Sequence, residues 1–141
     1  MTQTSGANRL LEKLQLRHRP LLLIGCPREI RPLFKGAVLR DELPEDGAPE
    51  AVLAFVTSKL AAEAVIHAVL PSCTADTLLW FAYPKQSSKR YTADISRNSG
   101  WAAFATYGYE PDTQISINSD WAALRFRPFN EIRQSRPEGQ P

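Results

Sequence analysis

Ala51-Val52-Leu53-Ala54-Phe55-Val56-Thr57-Ser58, running on through Lys59-Leu60-Ala61-Ala62-Glu63-Ala64-Val65-Ile66-His67-Ala68-Val69, is the stretch that decides the fold. Its first part is continuously apolar, the pattern of a strand buried on both faces and covered by helices on each side. Ser58 follows where a helix cap is needed, because its hydroxyl can accept a bond from an unpaired backbone N–H. Leu60, Ala61, Ala64, Val65, Ala68 and Val69 then recur at helical spacing, and Pro71 ends the helix.

The same strand-then-helix rhythm extends in both directions. Leu78-Leu79-Trp80-Phe81-Ala82-Tyr83 is a second buried run, stopped by Pro84. Leu21-Leu22-Leu23-Ile24 is another, ended by Gly25. Pro27 suits the first turn of a short helix reaching about Phe34. Ala37-Val38-Leu39 reads as a weaker strand. Between Asp41 and Glu50 lie five acids, two prolines, a glycine and no base, which predicts a solvated loop. Upstream, Leu10, Leu11, Leu14 and Leu16 predict a short amphipathic helix, stopped by Pro20. Downstream, Trp101, Phe104 and Ala105 predict one more helix with Gly108 as its cap. Thr113, Ile115 and Ile117, then Ala122, Leu124 and Phe126, alternate about a polar Asn118-Ser119-Asp120, which predicts an antiparallel hairpin.

Strands alternating with helices predict a three-layer, Rossmann-like α/β domain with a mostly parallel sheet, closed by a C-terminal antiparallel hairpin. The domain is expected over residues 8–130, with 1–7 as a disordered N-terminus and 131–141 as a flexible tail. With 141 residues, of which 43% are hydrophobic and 23% charged, the chain suits one ordinary globular domain. Seventeen bases face fifteen acids, a net charge of +2, so no basic stripe calls for nucleic acid. Cys26 and Cys73, with His18 and His67, lack the spacing of a zinc site, and no metal or other cofactor is called for. Met1–Asn8 has no signal-peptide pattern, and no run reaches the ~20 apolar residues of a membrane helix. The cytoplasm is the expected compartment.

Two resemblances accompany this reading. Residues 51–127 resemble the second half of a Rossmann-like methyltransferase domain, which implies that fold. The first strand there should lead into G-x-G-x-G, whereas this chain has Gly25-Cys26-Pro27-Arg28-Glu29, with a proline that removes an N–H. The stretch ending Tyr83-Pro84-Lys85, with Arg97, Gly100-Trp101, Ser119-Asp120-Trp121 and Leu124-Arg125-Phe126-Arg127, is similar to an uncharacterised bacterial domain-of-unknown-function family. Ala122 stands where that family carries serine. This likeness covers the C-terminal half and implies no activity.

The candidate ligand or anion site is Lys85, Arg97, Trp101, Trp121 and Arg125, with Arg127 beside them. Lys85 follows the C-terminal end of a predicted parallel strand, where open α/β sheets bind ligands. Arginine offers a planar fork for phosphate or carboxylate, and lysine a point charge. Asn98 and Ser99 would add helix N-terminal amides. Trp101 or Trp121 would stack on a ring, or else fill the core. Cys26 at a helix start is a second candidate, with His18 and His67 as the only histidines to serve as its base and His67 read on the helix stripe as structural, set against a small buried cysteine. No catalytic residues are assigned. The function expected is a non-catalytic cytoplasmic regulatory or interaction domain that binds a partner protein or a small anion. The alternative is a divergent transferase-like enzyme with a strand-end cleft.

Overall fold

The computed structural model describes residues 6–129, with side chains from Arg9 onward. Six strands form one sheet, in the order β2-β1-β3-β4-β6-β5. They are β1 (Leu21–Ile24), β2 (Leu39–Arg40), β3 (Ala51–Phe55), β4 (Leu78–Pro84), β5 (Tyr109–Ser116) and β6 (Trp121–Pro128). The first four are parallel, and β6 runs antiparallel to both β4 and β5. The mostly parallel, three-layer α/β fold with its closing hairpin is therefore the observed architecture.

The apolar runs fall where their composition puts them. Every residue of β3 and β4 is buried, because each strand has a neighbour on both sides and a layer on both faces. One layer is α2 (Lys59–Val69) with a 3₁₀ segment at Ala102–Tyr107. The other is α1 (Gly6–Lys13) with a 3₁₀ turn at Arg31–Phe34. Ser58 caps α2 as its position implies, its hydroxyl accepting from the Ala61 N–H at 3.0 Å.

Several local expectations are corrected. The buried stripe of α2 is Ala62, Ile66 and Val69, while Leu60 is 76% exposed. This helix is apolar around most of its circumference, so spacing alone could not select the buried face. The residues after β1 form no α-helix; only the short 3₁₀ turn forms, with Pro32 near its start. The segment containing Trp101 is likewise 3₁₀, closed by Gly108. β2 is two residues long, Leu39–Arg40, and shares only Leu39 with the run read as a strand. The reading of loose ends at 1–7 and 131–141 falls outside the described residues, apart from Gly6 and Ala7, which open α1.

The two faces hold separate clusters. Phe81, Trp101, Phe104 and Phe126 pack together under α2, with Phe104 stacked on Phe126 at 3.8 Å between ring centroids. Trp80, Trp121, Phe34 and Phe55 pack on the α1 side. There the Trp80 indole N–H donates to the Leu14 carbonyl, tying the end of α1 to the sheet.

Candidate functional site

The C-terminal ends of the parallel strands share one edge of the sheet. The hairpin brings its turn to the same edge, since Trp121 pairs with Pro84 and Ser116 with Ala122. Lys85 leaves β4 there. Its backbone N–H donates to the Asp120 carbonyl at 2.8 Å. The Asp120 carboxylate accepts from the Ser88 hydroxyl, which in turn accepts from the N–H groups of Arg90 and Tyr91. Asn118 completes the staple, its side-chain oxygen accepting from the Asp120 and Trp121 amides. The loop after β4 and the hairpin turn are thus one hydrogen-bonded unit.

Arg97 arrives from a second device. Ser96 and Ser99 bridge each other, so Arg97 and Asn98 form the tip of a tight turn. The Trp101 indole N–H anchors that turn by donating to the Ser96 carbonyl at 2.8 Å. Gly100 makes the approach possible: its φ is +111°, and a Cβ there would lie 2.3 Å from Ile95 Cγ2.

Lys85 and Arg97 meet in a cleft of ≈ 480 Å³, lined also by Tyr83, Gln86, Ser96 and Gln114. Lys85 Nζ donates to the Ser116 hydroxyl at 2.7 Å, which leaves the ammonium further protons for a ligand. Tyr83 donates its hydroxyl to Gln114 Oε1 at 2.7 Å. Burial raises the Tyr83 pKa, opposed by the nearby Arg97 charge, so the phenol stays neutral. Arg97 has no hydrogen-bond or ion-pair partner among the described residues. Asp94, a possible partner, instead accepts from the Lys59 N–H at the start of α2. Among the described residues, no carboxylate or imidazole lines this cleft. Its polar groups are cationic or uncharged, the complement of an acceptor-rich anion. Beyond Arg97 lies a neighbouring cleft of ≈ 550 Å³, bordered by Lys59, Glu63 and Trp101.

The five residues expected at one site divide between the two faces. Lys85 and Arg97 come together, with Trp101 behind them. Trp121 and Arg125 belong to the α1 side. Trp121 is 1% exposed, held between Phe55 and Tyr91, and Trp101 is 9% exposed within the aromatic cluster. Neither offers a free ring face, which corrects the stacking role. The Arg125 guanidinium donates to Gln15 Oε1 at 3.2 Å, and burial lowers its pKa, with Arg127 adding to the effect. Arg127 is paired with Asp112 at 3.1 Å. Asn98 and Ser99 lie in the turn, before the 3₁₀ segment, and supply no helix N-terminus.

The cysteine–histidine reading is corrected too. Burial pushes the Cys26 thiol up to about 11, against the attraction of Arg31. Its sulfur donates to the Pro27 carbonyl. His67 lies on the opposite layer, where its Nδ1 shares a hydrogen bond of 2.8 Å with the Tyr107 hydroxyl. Sequence reasoning missed Tyr83 and Gln114 as cleft residues, and Ser116 as the partner of Lys85. The alternation of β5 was the signal for Gln114 and Ser116, and the apolar end of β4 that for Tyr83, but their partners lie on other elements.

The switch in strand order falls between β1 and β3, where such sheets commonly bind ligands. Here Gly25 has φ +67°, and the Phe55 carbonyl oxygen would stand 2.9 Å from a Cβ at that position. The glycine therefore admits the backbone of β3. The segment after β4 also reaches this edge. The Tyr91 hydroxyl donates to Glu29, and Arg90 lies 3.8 Å from the same carboxylate.

No protein-family model matches the chain, and no curated protein matches it. Solved structures share its fold. The N-methyltransferase NodS from Bradyrhizobium japonicum WM9 is 12% identical, with a TM-score of 0.52 over 85% of this chain and 93% of that one. A ribosomal protein L11 methylase from Lactobacillus delbrueckii subsp. bulgaricus is 11% identical, with a TM-score of 0.50 over 87% of this chain and 77% of that one. LepI, solved in complex with SAM, is 11% identical at a TM-score of 0.50; this chain is covered over 86% but spans 39% of LepI. These neighbours bear out the Rossmann-like, methyltransferase-type fold. The expectation of a non-catalytic domain is corrected against these neighbours, two of which are methylating enzymes by name.

Proposed function

We propose that this chain is a divergent methyltransferase-like enzyme that acts on a small anionic substrate held between Lys85 and Arg97. The observation that carries the reading is the meeting of these two cations in one cleft at the strand-end edge of a methyltransferase-type sheet. The fold favours an enzyme, and the cleft supplies the chemistry of recognition. Arg97 offers a fork for a carboxylate or phosphate, Lys85 a point charge, and the Gln114 amide a neutral donor once its oxygen is engaged by Tyr83.

S-adenosylmethionine, where such enzymes bind it, supplies an electrophilic methyl group. The turn after β1 does not fit that donor: Pro27 lacks an N–H, and the Phe55 carbonyl occupies the space beside Gly25. No step is therefore assigned to that turn. Among the described residues no carboxylate or imidazole lines the cleft, so a nucleophile held there must arrive with a free lone pair, as an ionised oxyacid or an uncharged amine does. No helix among the described residues is long and apolar enough to cross a membrane.

The test is thermal melting and calorimetric titration of the full chain with S-adenosylmethionine, S-adenosylhomocysteine and a panel of carboxylated and phosphorylated metabolites. A ligand at ~100 times its Kd stabilises the fold by about 2.7 kcal/mol. Supporting results are a shift that is lost in both Lys85→Ala and Arg97→Ala, and chemical conversion of the anion that binds, followed by mass spectrometry. Binding that survives both substitutions, or recovery of the bound anion unchanged, would overturn the reading.

A further inference from the structure

A second cleft, of ≈ 740 Å³, lies near the N-terminal ends of β1 and β2, away from Lys85 and Arg97. Its lining combines apolar and basic groups. Leu11, Leu16, Ala37 and Val38 supply the apolar part, and Val38 is 50% exposed, unusual for a large aliphatic side chain in this molecule. Arg17 and His18 supply the charge and polarity, and both are exposed. Neither has a hydrogen-bond or ion-pair partner among the described residues. Arg19 is already engaged, donating to the Glu50 and Asp76 carbonyls, so it anchors the segment. Glu12 is the acid of this lining.

The backbone singles out the same two residues. Arg17 and His18 have φ of +49° and +69°, and the Arg19 N–H donates to the Leu16 carbonyl at 2.9 Å. That is a type I′ turn, whose central positions favour Asn-Gly because ordinary L-residues clash there. Two large side chains occupy positions that suit small ones. Gln15 just before them is also left-handed, with φ +61°. Strain of this kind persists where the side chains have a use that smaller residues would not meet.

We propose that this cleft binds a small amphipathic organic anion, with its apolar body on Leu16 and Val38 and its carboxylate, phosphate or sulfonate on Arg17 and His18. The volume lies in the ordinary range for small-molecule sites, about 300–1,000 Å³. The lining selects the charge: the unpaired Arg17 and the anchored Arg19 outnumber the single Glu12, and His18 adds an N–H donor. The site is independent of the strand-end cleft and of the activity proposed for it.

The experiment follows the fluorescence of 8-anilinonaphthalene-1-sulfonate on the folded full chain, with decanoate and decanol as competitors. The site predicts saturable binding, displacement by decanoate, and decanol weaker by about tenfold for want of a charge-assisted bond. Val38→Glu should weaken decanoate by at least as much. The double variant Arg17→Asn with His18→Gly is the decisive one. It should melt at a higher temperature than the natural chain and yet lose about tenfold in decanoate affinity. Amide shifts at Gly36, Ala37 and Val38 in an NMR titration should locate the ligand. The proposal is overturned if the probe does not bind, if decanol matches decanoate, or if the double variant binds as the natural chain does. Loss of binding in Arg97→Ala would also overturn it, by placing the ligand in the other cleft.

Discussion

The two faces of the sheet each bury a tryptophan near the strand-end edge, and they use it differently. Under α2, Trp101 sits among Phe81, Phe104 and Phe126 and spends its N–H on the Ser96 carbonyl. On the α1 side, Trp121 lies between Phe55 and Tyr91 with its N–H buried and without a hydrogen-bond acceptor in the described structure. The first ring positions the turn that carries Arg97, because the carbonyl it holds is one residue from it. The second contributes area and shape. Similar residues at similar burial therefore differ in what they hold in place, and the hydrogen bond marks the difference.

The largest test of this contrast is Phe104→Ala. Phe104 stacks on Phe126 and touches Phe81, Trp101 and Tyr109, so its loss opens a cavity in the cluster that supports Arg97. Chemical denaturation should show a loss of about 3–5 kcal/mol. Any ligand bound at Lys85 and Arg97 should weaken as well, as read by titration under conditions where the variant stays folded. Unchanged affinity in the folded variant would separate the aromatic cluster from the cleft.

A finer comparison sets Trp101→Phe against Trp121→Phe. Both remove similar volume, so the cavity contributions partly cancel. Trp101→Phe also strips the Ser96 carbonyl of its donor, while Trp121→Phe removes a donor that has no acceptor. Trp101→Phe should be the more destabilising by about 1–3 kcal/mol in urea unfolding. Equal losses would mean that the indole bond to Ser96 carries no weight, and the contrast between the faces would fall with it.

The smallest effect concerns the contact above the α1 face. The Tyr91 hydroxyl holds the Glu29 carboxyl below its ordinary pKa, and that bond raises the Tyr91 pKa in return. A carboxylate with a lowered folded pKa stabilises the fold above its unfolded value, and the contribution is lost as pH falls through the folded value. The tyrosine has the opposite sense: its contribution is present below its unfolded value and lost as pH rises through the folded one. Both groups face solvent, so NMR titration is the suitable measure. In Tyr91→Phe the Glu29 midpoint should rise toward that of a free carboxylate. An unmoved midpoint would assign the shift to Arg90 and the local backbone.

Much of the fold was legible because it rests on local rules. A continuous apolar run such as Val52 to Val56 can be satisfied only inside a covered sheet. A serine before a helix caps it, and a polar Asn118-Ser119-Asp120 between alternating residues turns the chain. The stripe on α2 was misread for an equally physical reason. Leu60 and Ile66 are both apolar, and nothing local says which of them the sheet will meet. The failed helix after Pro27 is of the same kind, since a proline permits a first turn but cannot supply the packing that extends it.

The candidate site depended still more on long-range structure. Alternation along β6 puts Trp121 and Arg125 on one face from the sequence alone. Which face that is, relative to Lys85, follows from the pairing of Trp121 with Pro84 and from the path of the loop between. Arg97 approaches Lys85 only because the Ser96–Ser99 turn is anchored by Trp101. The chain's local chemistry thus determined the strands, the cap, the hairpin and the presence of free cations after β4. The meeting of Lys85 with Arg97, and the parting of both from Arg125, was decided by strand order and pairing, because charge and periodicity are properties of a segment while proximity belongs to the packed whole.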